Sequence, residues 1–314
     1  MRPRHPLRPV PLSVVVLLAV VASACSALSD RVDLATPGVT GRWIDVVGAG
    51  SSFDAGLVRR ALVAAPDDVD PRQQRFLGGD VAEPGGGLPL VIVNHGLGST
   101  PEFTAAVTGW PSVVGSDRLL VAFPEGWEDS FNAGGCCGEA VAAGLDDVAF
   151  LRDVIDAVAG LYPVDRDRVF MTGYSNGGMI TYRFLCEHAD LLAGAGSVVG
   201  TNADGCAPSA PVSFLQITGR DDTVVPPDGG SSSTAGLGPF PSTVESAELV
   251  ARAGGCGPED TVELGVAEVT RWPDCVAGVR VELDLVPFGH DWPTTSEYAA
   301  TDRLLRFWGL RPVG

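Results

Sequence analysis

Arg168-Val169-Phe170-Met171-Thr172-Gly173-Tyr174-Ser175-Asn176-Gly177-Gly178-Met179-Ile180-Thr181-Tyr182-Arg183-Phe184-Leu185 is the stretch that decides the fold. After Arg168, the residues Val169 to Thr172 are apolar or β-branched and predict a buried strand. Its last eight, from Gly178, predict a helix. Between them lies a G-x-S-x-G pentapeptide with Ser175 at its centre. A serine on so tight a strand-to-helix turn must adopt backbone angles that L-residues avoid, and small neighbours must make room for it. The turn lifts the hydroxyl above the sheet, with the helix N-terminus beneath: a nucleophile elbow. In a chain with 40 Gly the bare pattern arises easily by chance. The strand before it and the helix after it supply the context the motif requires.

A nucleophilic serine needs a base, and the chain has four His. His5 lies in the leader. His188 reads as a polar residue at a helix end. His290 sits in Pro287-Phe288-Gly289-His290-Asp291-Trp292-Pro293, just after an alternating strand Val279–Leu285. That is the place for the base. The acid is expected between the two in chain order. Strand Val212–Ile217 runs into Thr218-Gly219-Arg220-Asp221-Asp222-Thr223-Val224-Val225-Pro226, and Asp222 is the candidate acid with Asp221 in reserve. The other Asp of the pair caps the turn. An oxyanion hole needs two backbone N–H groups. Asn176, after the nucleophile, supplies one. Strand Leu90–Val93 leads into Asn94-His95-Gly96-Leu97-Gly98-Ser99, where Leu97 supplies the second. His95 then shapes the loop and is not the base. Trp127 and Trp292 lie on loops expected at the sheet edge where ligands bind, so both are candidate substrate contacts; the plainer reading of each is loop packing.

Strands and helices alternate through the rest of the chain, which predicts a mostly parallel central sheet with helices on both faces. Helix Asp146–Gly160 carries Val148, Leu151, Ile155 and Val158 on one stripe. Strand Leu119–Phe123 precedes it and strand Ala195–Val199 follows the elbow helix. Residues 228–243 predict a flexible loop. Ser242 and Glu245 predict a capping box opening helix Val244–Ala253. A last helix is expected near Ser296–Trp308.

The formal charge of the 314 residues is -18, and all 21 basic residues are Arg. Nucleic acid and anionic membrane surfaces are therefore poor partners. Arg2, Arg4 and Arg8, an apolar run from Leu12 to Val21, and Ala22-Ser23-Ala24 predict an export signal over 1–24. Cys25 follows directly, in the position a lipid-anchored protein uses. Residues 25–40 read as a tether and 41–314 as one catalytic domain. Setting Cys25 aside leaves six of the seven Cys, an even number in an oxidising compartment. Local spacing favours Cys186 with Cys206 and Cys256 with Cys275, leaving the adjacent Cys136 and Cys137; other partitions of the six remain open. No His or Cys stands at metal-binding spacing, so no metal is expected.

The motifs Asn94-His95-Gly96, Phe123-Pro124-Glu125-Gly126, Asn132-Ala133-Gly134-Gly135-Cys136-Cys137-Gly138, Asp146-Asp147-Val148, the elbow, and Gly289-His290-Asp291-Trp292-Pro293 occur in one order. That order resembles the secreted esterases grouped as polyhydroxybutyrate depolymerase-like, with the feruloyl and acetylxylan esterases. The resemblance spans roughly residues 45–308. It departs from the family pattern at Pro287-Phe288-Gly289, at Thr218-Gly219, and after Pro293, where no Gly follows. It implies an α/β-hydrolase fold and an exported serine esterase without a cofactor. Its substrates would be polyesters or acylated polysaccharide fragments, and its only membrane attachment a lipid anchor. Two other readings stand beside it: a serine peptidase on the same fold, and a non-catalytic envelope binding protein on a hydrolase scaffold.

Overall fold

The computed structural model describes residues 31–48, 56–69, 71 and 86–312. The expected export signal and Cys25 lie outside these residues. An eleven-stranded sheet runs through the molecule in the order β1-β2-β3-β5-β4-β6-β7-β8-β11-β10-β9. Its centre is β5 (Leu120–Pro124), β4 (Leu88–Asn94), β6 (Val164–Gly173), β7 (Gly194–Val198), β8 (Phe214–Gly219) and β11 (Val281–Val286). All of these are mutually parallel. Parallel neighbours need crossovers, and helices supply them.

Both ends of the sheet are antiparallel. At one end are β1 (Arg31–Val32), β2 (Val39–Val47) and β3 (Val58–Pro66); at the other are β9 (Asp260–Leu264) and β10 (Ala267–Trp272). Part of the expected tether is thus sheet. Arg31 and Val32 pair with Arg42 and Gly41, and Val32 and Leu34 pack on the core.

The strand period of two divides the core. Leu90 and Ile92 face one layer while Val91 and Val93 face the other. The first layer takes α4 (Asp147–Leu161), α5 (Asn176–His188) and α6 (Thr243–Ala253); the second takes α1 (Pro101–Thr108), α2 (Pro111–Asp117) and α7 (Ala300–Phe307). A further short helix, α3 (Gly138–Ala143), lies by the elbow. The α4 stripe of Val148, Leu151, Ile155 and Val158 is buried as its spacing requires, each side chain contributing about 1.5–3 kcal/mol. Asp146 caps this helix, accepting from the Ala149 N–H at 2.9 Å. The next residue, Asp147, is fully buried and pairs with Arg59 of β3 at 2.6 Å. Breaking such a pair leaves an uncompensated buried charge, which costs about 3–5 kcal/mol.

Ser242 and Glu245 form the expected capping box on α6. The last helix starts later than expected, because Thr295 and Tyr298 close a turn and Thr294 bridges Ala299 ahead of it. Residues 228–243 do not hang free: Gly230 pairs with Phe240, and the Phe240 ring is buried in the first layer. Disulfides join Cys136 to Cys137, Cys186 to Cys206 and Cys256 to Cys275. No helix of the described residues is long and apolar enough to cross a membrane.

Candidate active site

Five parallel strands, β4, β5, β6, β8 and β11, end at one edge of the sheet, and the loop after each carries a residue singled out from the sequence. That convergence follows from parallelism: every C-terminal end points the same way. Ser175 follows β6 and opens α5. Its φ of 54° and ψ of -117° are those of a strained elbow. The Ser175 N–H donates to the Val198 carbonyl at 2.9 Å, which holds the turn down on β7. The glycines are sterically required. A Cβ on Gly173 would lie 2.3 Å from the Gly177 backbone, and one on Gly177 would lie 2.1 Å from the Asn94 carbonyl.

His290, on the loop after β11, reaches both partners. Its Nε2 lies 2.9 Å from Ser175 Oγ and its Nδ1 lies 2.7 Å from Asp222 Oδ2. Asp222 follows β8 and is buried. Its other oxygen, Oδ1, accepts from the N–H groups of Val224 and Val225, each at 2.9 Å. Those two bonds fix the orientation of the carboxylate, so that Oδ2 faces the imidazole. Asp221 is exposed, and its N–H donates to the Phe288 carbonyl, so its part is to shape the turn. The Tyr174 hydroxyl donates to the His290 carbonyl at 2.9 Å, bracing the histidine loop from the elbow itself. Sequence reasoning missed that brace; its only signal was that Tyr174 stands next to the elbow serine.

The Asn176 N–H sits in the first turn of α5, where a helix offers no internal acceptor. Its side chain is fully buried and pairs with one backbone unit across the site. Oδ1 accepts from the Phe131 N–H at 2.8 Å, and Nδ2 donates to the Phe131 carbonyl at 2.9 Å. Leu97 lies on the loop after β4. The next two N–H groups are occupied: Gly98 donates to the Asp129 carbonyl and Ser99 to the Gly96 carbonyl. Leu97 N–H makes no such bond among the described residues.

His95 is buried beneath this loop. Its Nδ1–H donates to the Gly96 carbonyl at 2.8 Å, and its Nε2 accepts from the Gly126 N–H at 2.9 Å. Both nitrogens are used, so it joins two site loops and is not a base for Ser175. Burial pushes its imidazole below the ordinary value. The unfolded chain therefore binds a proton at this residue more readily than the folded protein does. His95 stability is fully present above the ordinary imidazole range and is lost as pH falls through it. Denaturant melts at about pH 7.5 and about pH 5 should show His95→Gln losing less stability over that interval than the wild type. Equal losses in both proteins would mean that other groups cause the acid weakening.

The two tryptophans part company. Trp127 is 36% exposed on the loop after β5. Trp292 is only 4% exposed, and its indole N–H donates to Thr301 Oγ1 at 3.2 Å. The Trp292 ring is not on an open rim: it packs in the second core layer against α7 and also lines a cleft beside Tyr174 and Asp291. His188 caps no site; it packs on Phe184 at the end of α5.

A strained elbow serine over the C-terminal edge of a parallel sheet, with His and Asp delivered by later loops, defines an α/β-hydrolase. Among solved structures the chain is similar to the acetyl xylan esterase of Aspergillus awamori, with a TM-score of 0.59 at 15% identity over 86% of this chain and 99% of that one. No protein-family model matches the chain. By sequence it is 32% identical over 247 residues to NocK of Nocardia uniformis subsp. tsuyamanensis, a protein named as an esterase; the match covers 70% of this chain and 71% of NocK. It is 29% identical over 208 residues to feruloyl esterase B of Piromyces equi, covering 62% of this chain and 38% of that protein. The chain belongs to the esterase family that its motifs suggested, that of the polyhydroxybutyrate depolymerase-like, feruloyl and acetylxylan esterases, and it is a carboxylic-ester hydrolase.

Proposed function

We propose that the protein is an exported serine esterase working through Ser175, His290 and Asp222, with Leu97 and Asn176 as the oxyanion hole. The observation that carries this reading is the unbroken relay from Ser175 Oγ through the imidazole to a buried carboxylate, at 2.9 Å and 2.7 Å. His290 Nε2 takes the proton of Ser175 as the hydroxyl attacks the ester carbonyl. Asp222 holds Nδ1–H and so fixes the tautomer that leaves Nε2 free to accept. The negative charge developing on the carbonyl oxygen is met by the Leu97 and Asn176 N–H groups. Collapse of the tetrahedral intermediate expels the alkoxide, which takes the proton back from His290. Water, activated by the same imidazole, then hydrolyses the acyl-enzyme. No cofactor enters these steps.

The natural ester is a polyester or an acylated polysaccharide fragment, in keeping with the motif order the chain shares with its family. Export through the leader at 1–24, with a lipid anchor at Cys25, places the enzyme at the cell envelope or outside the cell. Its six remaining Cys form disulfides, which suits an oxidising compartment.

The test compares kcat/KM on p-nitrophenyl acetate and butyrate with that on peptide p-nitroanilides. Ester turnover without anilide turnover is expected. Anilide hydrolysis at comparable efficiency would favour a peptidase, and no turnover of either would favour a binding protein on this scaffold.

A further inference from the structure

A cleft of about 160 Å³ opens beside the elbow, lined by Phe103 and Val107 of α1, Tyr174, Trp292, Asp291 and Ser99. It touches three parts of the site. Tyr174 precedes Ser175 and packs on the His290 ring at 5.3 Å, Asp291 follows His290, and Ser99 lies on the loop that carries Leu97. We propose that this cleft is a specificity pocket for one uncharged, ring-sized apolar group of the ester, with Phe103 as its wall and Asp291 as a barrier to carboxylates. The inference rests on the serine-esterase reading above and names the group that this site selects.

Three observations support it. First, the size fits: an apolar cavity of about 150 Å³ holds one benzene. Second, the wall is apolar where the fold does not require it. Phe103 is 60% exposed and Val107 is 42% exposed on a helix whose other face is already packed. Among the described residues the exposed aromatic side chains are Phe103 and Trp127, and both stand at this end of the sheet. Phe103 shares the cleft with Tyr174, the residue before Ser175, and a substrate ring laid there would cover its exposed face. Third, the only charge on the lining is negative. None of the lining residues is basic. The field of Asp291 reaches into the cleft: burial first, then the charges of Asp291 and Asp222, push the Tyr174 phenol up to about 12. A substrate carboxylate placed there would meet the same repulsion, with no cation to offset it.

The ring could belong to the acyl half or to the alcohol half, so the experiment has two arms. The acyl arm compares methyl acetate, methyl 3-phenylpropanoate and its para-carboxylated analogue. The alcohol arm compares methyl acetate, benzyl acetate and 4-carboxybenzyl acetate. In one arm the wild type should prefer the neutral ring ester to both others. Phe103→Ala should lower the kcat/KM ratio of ring ester to methyl acetate by about threefold to tenfold. Asp291→Asn should raise the ratio of carboxylated to neutral ring ester by about threefold or more. Asparagine keeps the Oδ1 that accepts from the Trp292 N–H at 2.9 Å, so the loop is spared. The arm that responds identifies the half of the ester that enters the pocket. Ratios unchanged in both arms, with every ester still hydrolysed and Ser175→Ala inactive, would overturn the pocket and leave the triad standing. An equal loss on all esters with a lowered Tm would make Phe103 a packing residue and overturn the pocket as well. If Ser175→Ala retained activity, the failure would lie in the triad reading.

Discussion

Ser175→Ala should lower kcat by about 10⁴–10⁶ and leave the fold intact, and Asp222→Asn should lower it by about 10⁴. The two losses should not add in the double variant, because the groups act as one unit. The Ser175 side chain is half-buried and, among the described residues, bonds to His290, so its removal deletes the proposed nucleophile without opening the core. Asp222→Asn does something different. The Asp222 carboxylate accepts three N–H groups, from His290, Val224 and Val225. An amide at that position must turn its NH₂ toward one of them. If it faces His290, the imidazole flips tautomer and Nε2 carries the proton it should accept. Asp221→Asn touches no group of the relay and should change kcat by less than about threefold. Steady-state kinetics on p-nitrophenyl acetate, with circular dichroism as the folding control, decides it. An Asp221 loss equal to the Asp222 loss would show that the acid has been misplaced.

The site was more legible in the sequence than the sheet around it. The convergence of Ser175, His290 and Asp222 was legible because a strand-to-helix elbow imposes glycine at fixed offsets, and chain order then orders its partners. Choosing Asp222 over Asp221 rested on weaker ground. It took the structure to show that Asp222 lies buried at the end of the relay while Asp221 turns to solvent. The antiparallel flanks at the two ends of the sheet differ in how readable they are. Strand β3 reads Val58-Arg59-Arg60-Ala61-Leu62-Val63-Ala64-Ala65-Pro66, and its polar start and Ala-rich end break the alternation that marks a half-buried strand. The β9–β10 hairpin did carry a signal. Asp260-Thr261-Val262-Glu263-Leu264 alternates, and Gly265 supplies the positive φ of 62° that the turn requires. The sequence left Trp292 between two readings, substrate contact and loop packing. Its burial depends on Thr301 in α7, a contact that only the assembled fold creates. The pair of hydrogen bonds between Asn176 and Phe131 is of the same kind, since it joins residues 45 apart through side-chain geometry.

Leu97→Pro should cost about 10²–10³ in kcat while Leu97→Ala stays mild, because the oxyanion hole uses only the backbone N–H of this residue. The Leu97 side chain is 39% exposed and leans toward Gly138, so its truncation removes little buried area. Proline deletes the donor itself. The bonds that hold the loop belong to other residues: Gly98 N–H to the Asp129 carbonyl, Ser99 N–H to the Gly96 carbonyl, and Gly126 N–H to His95. All three remain available in the proline variant. The residue most exposed to proline's steric demand is Gly96, which precedes it. A glycine can meet that demand, although its own space is bounded by the Tyr174 ring, 2.7 Å from where a Cβ would lie. The expected signature is therefore a loss in kcat with KM nearly unchanged and Tm retained, since ground-state binding does not use a donor aimed at the developing oxyanion. If Leu97→Ala and Leu97→Pro behave alike in folded protein, the second donor is another N–H. If Leu97→Pro loses Tm along with kcat, a second substitution separates the effects. Leu97→Gly keeps the N–H and loosens the loop. It should retain most of the activity if the donor is what matters, and lose it if loop rigidity is.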